Sequence, residues 1–367
     1  MKVLIDLTSL ADNFSGIERY AACLAKEMIQ DTSTDFILVF KEAVHDIFKS
    51  EIVRSNIEVV LLKRCNKLFF NQIELPNTIR KIKADFYLFL AFPVPVLLFK
   101  KNMISTIHDI CCWDCPETMN DMSKWYFRVS HKVALLKCKK IITISDFSRK
   151  RIMSKLHYNE NKIWLVYCGI DDRFLNFQKN EERAECVVSR YKLPDKYILS
   201  LSTLEPRKNL GLLIKAYSEL LKEGKINFPL VLAGRIGWKI EKLMNSIDAD
   251  VKKSILFTGF VEDEDLPYLY SGAELFVFPS KYEGFGIPPL EAAACGALVL
   301  SSNSTSLPEA LGNNAIYFKN DDVNDLKNKI MSCINDPINR KFENRYRWST
   351  EAAVLLQKMK ECYENKN

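Results

Sequence analysis

Two carboxylates, Glu283 and Glu291, are separated by seven residues in the stretch Pro279-Ser-Lys-Tyr-Glu-Gly-Phe-Gly-Ile-Pro-Pro-Leu-Glu-Ala-Ala-Ala-Cys-Gly296. The apolar run Leu275 to Phe278 leads in as a strand. Gly284 and Gly286 let the backbone of the next corner approach a ligand closely. Pro288 and Pro289 open an Ala-rich helix, with Pro289 suited to its first position. A helix start leaves backbone N–H groups unpaired and favours an anion. The carboxylates would repel that anion and are suited instead to accepting hydrogen bonds from hydroxyls. Bare N–H groups for phosphate beside carboxylates for hydroxyls point to a sugar nucleotide as ligand.

Arg207 and Lys208 follow Pro206 at a second strand-to-helix turn. Basic residues at a helix start oppose its dipole, so a merely solvated pair explains them poorly. Fixed cations there can stabilise the charge that grows on a nucleoside diphosphate leaving group without a metal. Gly16, in Ser15-Gly-Ile-Glu-Arg-Tyr20, opens a helix shortly after the first strand, and a plain helix turn accounts for it equally well. His108 ends a strand and is one of four histidines. It can donate to a sugar hydroxyl or a reacting oxygen, or be a satisfied structural histidine.

Metal sites are disfavoured. His108, Cys111, Cys112 and Cys115 place four candidate ligands in eight residues, but zinc sites draw their pairs from separated segments. Asp263-Glu-Asp265 directly precedes a helical run and fits capping and dipole complementarity better than a divalent cation. No cofactor and no metal are expected.

These groups need elements to position them. Short apolar runs at Val3–Ile5, Phe36–Phe40, Ile57–Leu62, Phe86–Leu90, Met103–Ile107, Ile141–Ile144 and Ile163–Val166 read as strands. Helical periodicity lies between them at Ile17–Ile29, Gln72–Ile82, Ser123–Leu136 and Phe147–Leu156. A polar stretch from Asp171 to Glu185 reads as a linker or a linker-flanked helix. The rhythm restarts at Tyr197–Leu201 and continues through Leu230–Leu232, Ile255–Thr258, Leu275–Phe278, Leu298–Leu300 and Ile316–Phe318. Trp348 begins a last helix with a Ser/Thr cap signal. The fold class is therefore α/β, with two doubly wound domains at 1–175 and 190–347. In such sheets ligands bind at the carboxyl ends of strands, and the residues above lie there. Two domains facing across a cleft would collect them.

The 367 residues fit two domains of an ordinary globular protein. No signal peptide is visible, and the apolar run Phe86 to Phe99 is too short and too interrupted by prolines to span a membrane. Eleven scattered cysteines then read as reduced thiols of a cytoplasmic protein. The net charge of +6 resides in residues 1–190, while the rest is balanced, which argues against a broad nucleic-acid surface. From 124 to 140 there are six basic residues and no acid, with Trp125, Val129, Val133 and Leu136 on another face. An anionic-membrane contact and a solvated helix face explain that pattern equally well.

The motifs together resemble the retaining glycosyltransferases of family 4, with the GT-B fold. The resemblance is carried by the stretch around Glu283 and Glu291, Thr203-Leu-Glu-Pro-Arg-Lys-Asn209, Gly259-Phe-Val-Glu-Asp-Glu-Asp-Leu-Pro-Tyr-Leu-Tyr270, Thr106-Ile-His-Asp109, Ile142-Thr-Ile-Ser-Asp-Phe-Ser148, Tyr167-Cys-Gly-Ile-Asp171 and Ser306-Leu-Pro-Glu309, in the family's order over nearly the whole chain. It implies that Glu283 holds hydroxyls of the donor sugar, with the backbone of Gly284, Phe285, Gly286 and Ile287 beside it. Glu291 would bind the ribose, Arg207 and Lys208 would clamp the diphosphate with the N–H of Gly16, and His108 would stand near the reacting carbon and the 6-hydroxyl. The loop holding Gly259 and Val261 would receive the base, the domain 190–347 would bind the nucleotide sugar, and the last helix, 348–367, would cross back onto the first domain, 1–175, which would be the acceptor side. Ser202 stands where some members carry an arginine, so a hydroxyl replaces a third cation. Tyr167-Cys168 stands where many relatives have Pro-Asn.

The whole pattern most resembles mannosyltransferase-like members. It implies a metal-independent hexosyltransferase with GDP-mannose as the first candidate donor. The acceptor is expected to be a lipid-linked saccharide of surface polysaccharide, used at the inner face of the cytoplasmic membrane. A GT-B phosphorylase or glycoside hydrolase would also use two carboxylates but leaves the Arg207–Lys208 pair partly idle. A non-catalytic sugar-nucleotide-binding subunit would bind donor without needing His108 or Glu283. A dinucleotide dehydrogenase is disfavoured, because no Gly-x-Gly-x-x-Gly follows the first strand.

Overall fold

The computed structural model describes residues 1–11, 14–63, 70–238, 245, 247–338 and 340–365; the end of the expected last helix, 366–367, lies outside them. The chain forms two compact units. The first holds residues 1–114, 121–169 and 346–367, and the second holds 115–120 and 170–345. The helix Asp172–Leu175 and the helix Glu181–Tyr191, drawn from the polar stretch, both belong to the second unit.

Among its described residues the first unit is built on seven strands: β1 (Lys2–Asp6), β2 (Asp35–Lys41), β3 (Ile57–Leu62), β4 (Phe86–Phe89), β5 (Met103–Thr106), β6 (Lys140–Thr143) and β7 (Ile163–Leu165). Their order is β3-β2-β1-β4-β5-β6-β7, and β1 is parallel to both of its neighbours. Val3, Leu4, Ile5 and the whole of β4 are buried. That is why these strands read as unbroken apolar runs rather than alternating ones. Helix α1 (Gly16–Met28) begins with a capping box, in which Ser15 and Glu18 each accept from the other's backbone N–H.

The expected helix Gln72–Ile82 is α-helical only over Leu75–Lys81, after a wider π turn at Phe70–Glu74. Pro76 has no N–H and clashes with the carbonyl one turn back, so it is admitted in the first turn and not in an interior.

The C-terminal helix Trp348–Glu364 is part of this unit, but its Ser/Thr cap does not form. The N-cap is Arg347, which places Ser349 and Thr350 inside the first turn. The helix is held instead by packing and polar contacts. Trp348 fills the space over Gly169, where a Cβ would lie 2.3 Å from the Trp348 backbone nitrogen. The Glu351 carboxylate accepts from the Tyr167 N–H at 2.8 Å, and Lys360 pairs with Asp31 at 2.7 Å.

Among its described residues the second unit has six strands: β8 (Ile198–Leu201), β9 (Leu230–Ala233), β10 (Ile255–Gly259), β11 (Leu275–Phe278), β12 (Val299–Ser302) and β13 (Ile316–Phe318), in the order β10-β9-β8-β11-β12-β13. Leu213, Tyr217, Leu232, Val277, Leu300 and Leu326 anchor its core. Asp265 does not cap the helix Leu266–Ser271 as expected. It is fully buried, and its carboxylate takes Arg183 and Arg190 at 2.7 Å each and the Tyr191 hydroxyl at 2.9 Å. A buried carboxylate needs paired charge, and the helix Glu181–Tyr191 supplies it.

Candidate active site

In the second unit the strand order reverses between β8 and β11. Ligands of doubly wound sheets bind outside the carboxyl ends at such a reversal. Arg207 and Lys208 come to this point from β8 through the 3-10 turn Pro206–Lys208, and Asn209, at φ 55°, turns the chain into the helix Leu210–Lys222. Glu283 comes from β11. The three side chains meet directly: Lys208 Nζ lies 2.6 Å from Glu283 Oε1, and Arg207 Nη1 lies 3.3 Å from Oε2. Arg207 also pairs with the buried Glu205 at 2.9 Å and donates to the Tyr282 carbonyl at 3.2 Å.

Burial pushes the Glu283 carboxyl up, and the Lys208 and Arg207 cations more than reverse this, leaving it below the ordinary glutamate range. Its backbone is fixed as well. The Glu283 N–H donates to Thr305 Oγ1 at 3.0 Å, and the Ser306 hydroxyl donates to the carbonyls of Glu283 and Phe285 at 2.9 and 3.2 Å.

The corner that follows is set by Gly286, at φ 108° and ψ 60°, where a Cβ would stand 2.5 Å from Leu307 Cδ2. The helix there runs Ile287–Ala294 with Gly286 as its N-cap, so Ile287 takes the first position and Pro288 and Pro289 the second and third. The expectation of Pro289 at the first position is thus shifted by two residues. The consequence is chemical: prolines carry no N–H, so the donors left at this helix start are those of Gly286 and Ile287.

Glu291, one turn on, is buried and accepts from the Tyr270 hydroxyl at 3.2 Å. The Ser202 hydroxyl, just past β8, is buried with no hydrogen-bond partner among the described residues. Gly259 ends β10 at φ 70°, and Val261 is buried beyond it. These two sit two strands along from β8 on the same edge of the sheet.

Gly16 and His108 belong to the first unit. Gly16 is the first residue of α1, behind the Ser15 cap. The His108 ring is held by two carbonyls, with Nε2 3.0 Å from Leu90 O and 3.2 Å from Ala91 O. A nitrogen shared by carbonyls carries the proton, so Nε2–H donates there and Nδ1 is left as an acceptor. Burial pulls the imidazole down to about 4, against Asp109 and the two carbonyls, which raise it. The expected hydrogen-bond donor to a sugar is therefore a neutral acceptor. Tyr20 meets the ring edge-on at 5.0 Å and Trp348 meets Tyr20 at 5.8 Å.

Sequence reading missed Glu205, Thr305, Ser306 and Tyr20 as members of these arrangements. Glu205 and Ser306 lie inside the motifs that carry the resemblance, and the run Ser301-Ser-Asn-Ser-Thr-Ser306 just past a strand was the available signal. Among the described residues no group of three His, Cys, Asp or Glu side chains is placed to hold a metal ion.

The two parallel sheets are those of the GT-B fold. Residues 14–174 match the family described as Glycosyltransferase Family 4, and residues 183–353 match Glycosyl transferases group 1. Together the two models cover most of the chain and identify it as a glycosyltransferase. Among sequence relatives, O-antigen chain mannosyltransferase B of Escherichia coli is 37% identical over 64% of this chain and 62% of its own length. The serotype-specific mannosyltransferase WbdA of Escherichia coli is 36% identical over 53% of this chain and 24% of its own. The chain thus spans less than two thirds of the relatives it matches. Sucrose-phosphate synthase from Thermosynechococcus elongatus shares the fold, with a TM-score of 0.73 at 16% identity over 99% of both chains.

Proposed function

We propose that the chain is a retaining, metal-independent hexosyltransferase that takes its sugar from a nucleoside diphosphate sugar, with GDP-mannose as the donor. The observation that carries this reading is the meeting of Arg207, Lys208 and Glu283 at the strand reversal of the second unit. Two cations beside the N–H groups of Gly286 and Ile287 suit a diphosphate, and a carboxylate held among them suits sugar hydroxyls. In the bound state the diphosphate takes over Arg207 and Lys208, and Glu283 turns its freed lone pairs to the sugar. Glu291 holds the ribose, the free Ser202 hydroxyl adds a donor near the phosphates, and the loop with Gly259 and Val261 receives the base. His108 accepts a hydrogen bond from a sugar hydroxyl through Nδ1. The likeness to O-antigen mannosyltransferases supports mannose as the sugar and surface polysaccharide as the destination. A thermal-shift screen of free nucleotides and sugar nucleotides in EDTA tests the donor. Binding raises the melting temperature by mass action, so GDP and GDP-mannose stabilise the chain, and a panel without any stabilising nucleotide sinks the reading.

The acceptor, in this reading, is a lipid-linked saccharide met at the inner face of the cytoplasmic membrane. No described helix is long and apolar enough to cross a membrane. The helix Asp121–Lys137 nevertheless exposes Met122, Trp125 (68%) and Leu136 (86%). Lys137 reaches the carbonyls of Val96 and Leu98 from its last turn and lies over the ring of Phe99, itself 68% exposed. Apolar side chains among lysines fit an anionic bilayer surface. Co-sedimentation with phosphatidylglycerol vesicles should weaken with salt and drop when Trp125 is changed to Ser. Binding that ignores both changes removes the membrane assignment.

A further inference from the structure

Besides its two cations, Glu283 is gripped by the loop that follows β12. Residues 302–306 read Ser-Asn-Ser-Thr-Ser, and all four hydroxyl side chains close on the backbone of residues 280–285. The Ser302 and Ser304 hydroxyls donate to the Ser280 carbonyl at 2.6 and 2.7 Å. The Ser306 hydroxyl spans the carbonyls of Glu283 and Phe285. These three serines donate. Thr305 does the opposite, and its Oγ1 accepts the Glu283 N–H at 3.0 Å.

Thr305 reaches that nitrogen in an unfavourable conformation. Its φ is 50°, in the left-handed region. Among the described residues seven non-glycine residues have a positive φ, and Thr305 is the only β-branched one. Asn and Asp, which make up three of the seven, tolerate this region through local hydrogen bonds of their short side chains. A β-branched residue there is an outlier. Such strain persists only where the surrounding structure over-determines it, and it gathers at functional sites. Here the hydrogen bonds of Ser304 and Ser306 pin the chain on either side. Glycine would take the same turn without strain, but it would bring no oxygen to the Glu283 N–H.

The role of that oxygen rests on the donor reading. In the ligand-free protein the Glu283 carboxylate is fixed by Lys208 and Arg207. A diphosphate takes both cations over just when the carboxylate has to meet the sugar. Its own backbone is then what aims it. We propose that Thr305 is a positioning residue for the donor sugar: by fixing the Glu283 N–H, its Oγ1 holds the carboxylate on the sugar hydroxyls once the diphosphate has claimed Arg207 and Lys208. The effect falls on the sugar rather than the nucleotide, because Thr305 acts on Glu283 and the diphosphate acts on the cations.

The test is calorimetric titration of the full chain with GDP and GDP-mannose, and with UDP and UDP-glucose. Melting scans confirm that each variant is folded at the titration temperature. The quantity read is the affinity for the nucleotide sugar divided by that for its free nucleotide. Thr305→Val keeps the branched shape and removes the oxygen, so this ratio falls by about tenfold, the scale of one lost hydrogen bond, while free-nucleotide affinity holds. Thr305→Gly removes the oxygen together with the strain and gives the same fall. Thr305→Ser returns the oxygen and restores the ratio. A ratio in Thr305→Val and Thr305→Gly equal to that of wild type overturns the assignment, as does a Thr305→Ser protein that behaves like Thr305→Val. A parallel loss of nucleotide and nucleotide sugar overturns it too, since a support of the fold alone would act on both. A wild type that binds none of the four ligands refutes the donor reading itself and takes the assignment with it, so the two failures are distinguishable.

Discussion

Changing Glu283 to Gln separates the two halves of the proposed donor site. In the ligand-free protein the carboxylate neutralises Lys208 at 2.6 Å and Arg207 at 3.3 Å. Arg207 keeps Glu205, at 2.9 Å, when Glu283 is neutralised. Lys208, whose side chain is 12% exposed, has Glu283 as its ion-pair partner and loses it. Breaking a buried pair by removing one partner costs about 3–5 kcal/mol, and the amide oxygen that Gln retains puts the cost near the lower end. The melting temperature should fall by roughly 2–4 °C per kcal/mol if the unit holding Glu283 unfolds on its own.

A diphosphate reverses the sign of this perturbation. Seated on the same cations, it would lie about 5 Å from Glu283, where two unit charges at an effective dielectric of about 20 repel by roughly 3 kcal/mol. The variant is therefore expected to bind GDP about 10- to 100-fold more tightly than wild type, and GDP should restore more of its melting temperature. Transfer from GDP-mannose should fall by about 10²–10³, the scale for losing one preorganised polar group in an active site. Calorimetry and scanning of both proteins in EDTA read these effects. A Glu283→Gln protein that binds GDP more weakly than wild type refutes competition between Glu283 and a diphosphate for Arg207 and Lys208.

Other changes probe the supporting structure. Gly169→Ala drives a Cβ to 2.3 Å from the Trp348 nitrogen, so hydrogen exchange across Trp348–Glu364 should rise sharply while the second unit keeps its protection. Asp265→Ala removes the carboxylate that draws Arg183, Arg190 and the Tyr191 hydroxyl together, so the urea midpoint should fall, and an unchanged midpoint would show that this cluster does not stabilise the second unit. His108 and His131 are pulled by burial to about 4 and about 3, below the ordinary 6.5. The unfolded chain then takes up protons first as pH falls. The stability held above 6.5 is lost by about 1.4 kcal/mol per pH unit for each histidine until the folded values are reached, and urea titrations of His108→Asn should show the slope reduced.

The central strands β4, β5, β9, β11 and β12 were legible because they are buried along their whole length, and the edge strand β3, half-exposed as it is, still reads as an apolar β-branched run. Such strands are continuous runs of β-branched and aromatic residues bounded by turns, and they need no tertiary information to recognise. The placement of Glu283, Arg207 and Lys208 at strand ends followed from the same reading. Their direct pairing did not, because a separation of about 75 residues says nothing about which side chains touch. The start of the helix after Gly286 was misplaced by two residues, since the left-handed glycine, rather than the prolines, decides where helical φ and ψ begin. His108 was visible as a site residue, yet its proton is fixed by carbonyls that another strand delivers. Asp265 looked like a cap because its partners lie in a helix some 75 to 82 residues earlier.

The central claim is retaining hexosyl transfer from a nucleoside diphosphate sugar without a metal. Its most direct test is incubation of the full chain with GDP-mannose and an α-mannoside acceptor in EDTA, with the product read by mass spectrometry and its new linkage by proton NMR. The account predicts an extended product with an α-linked hexose, and none from Glu283→Gln. A β-linked product, or transfer that appears only when a divalent cation is added, contradicts it.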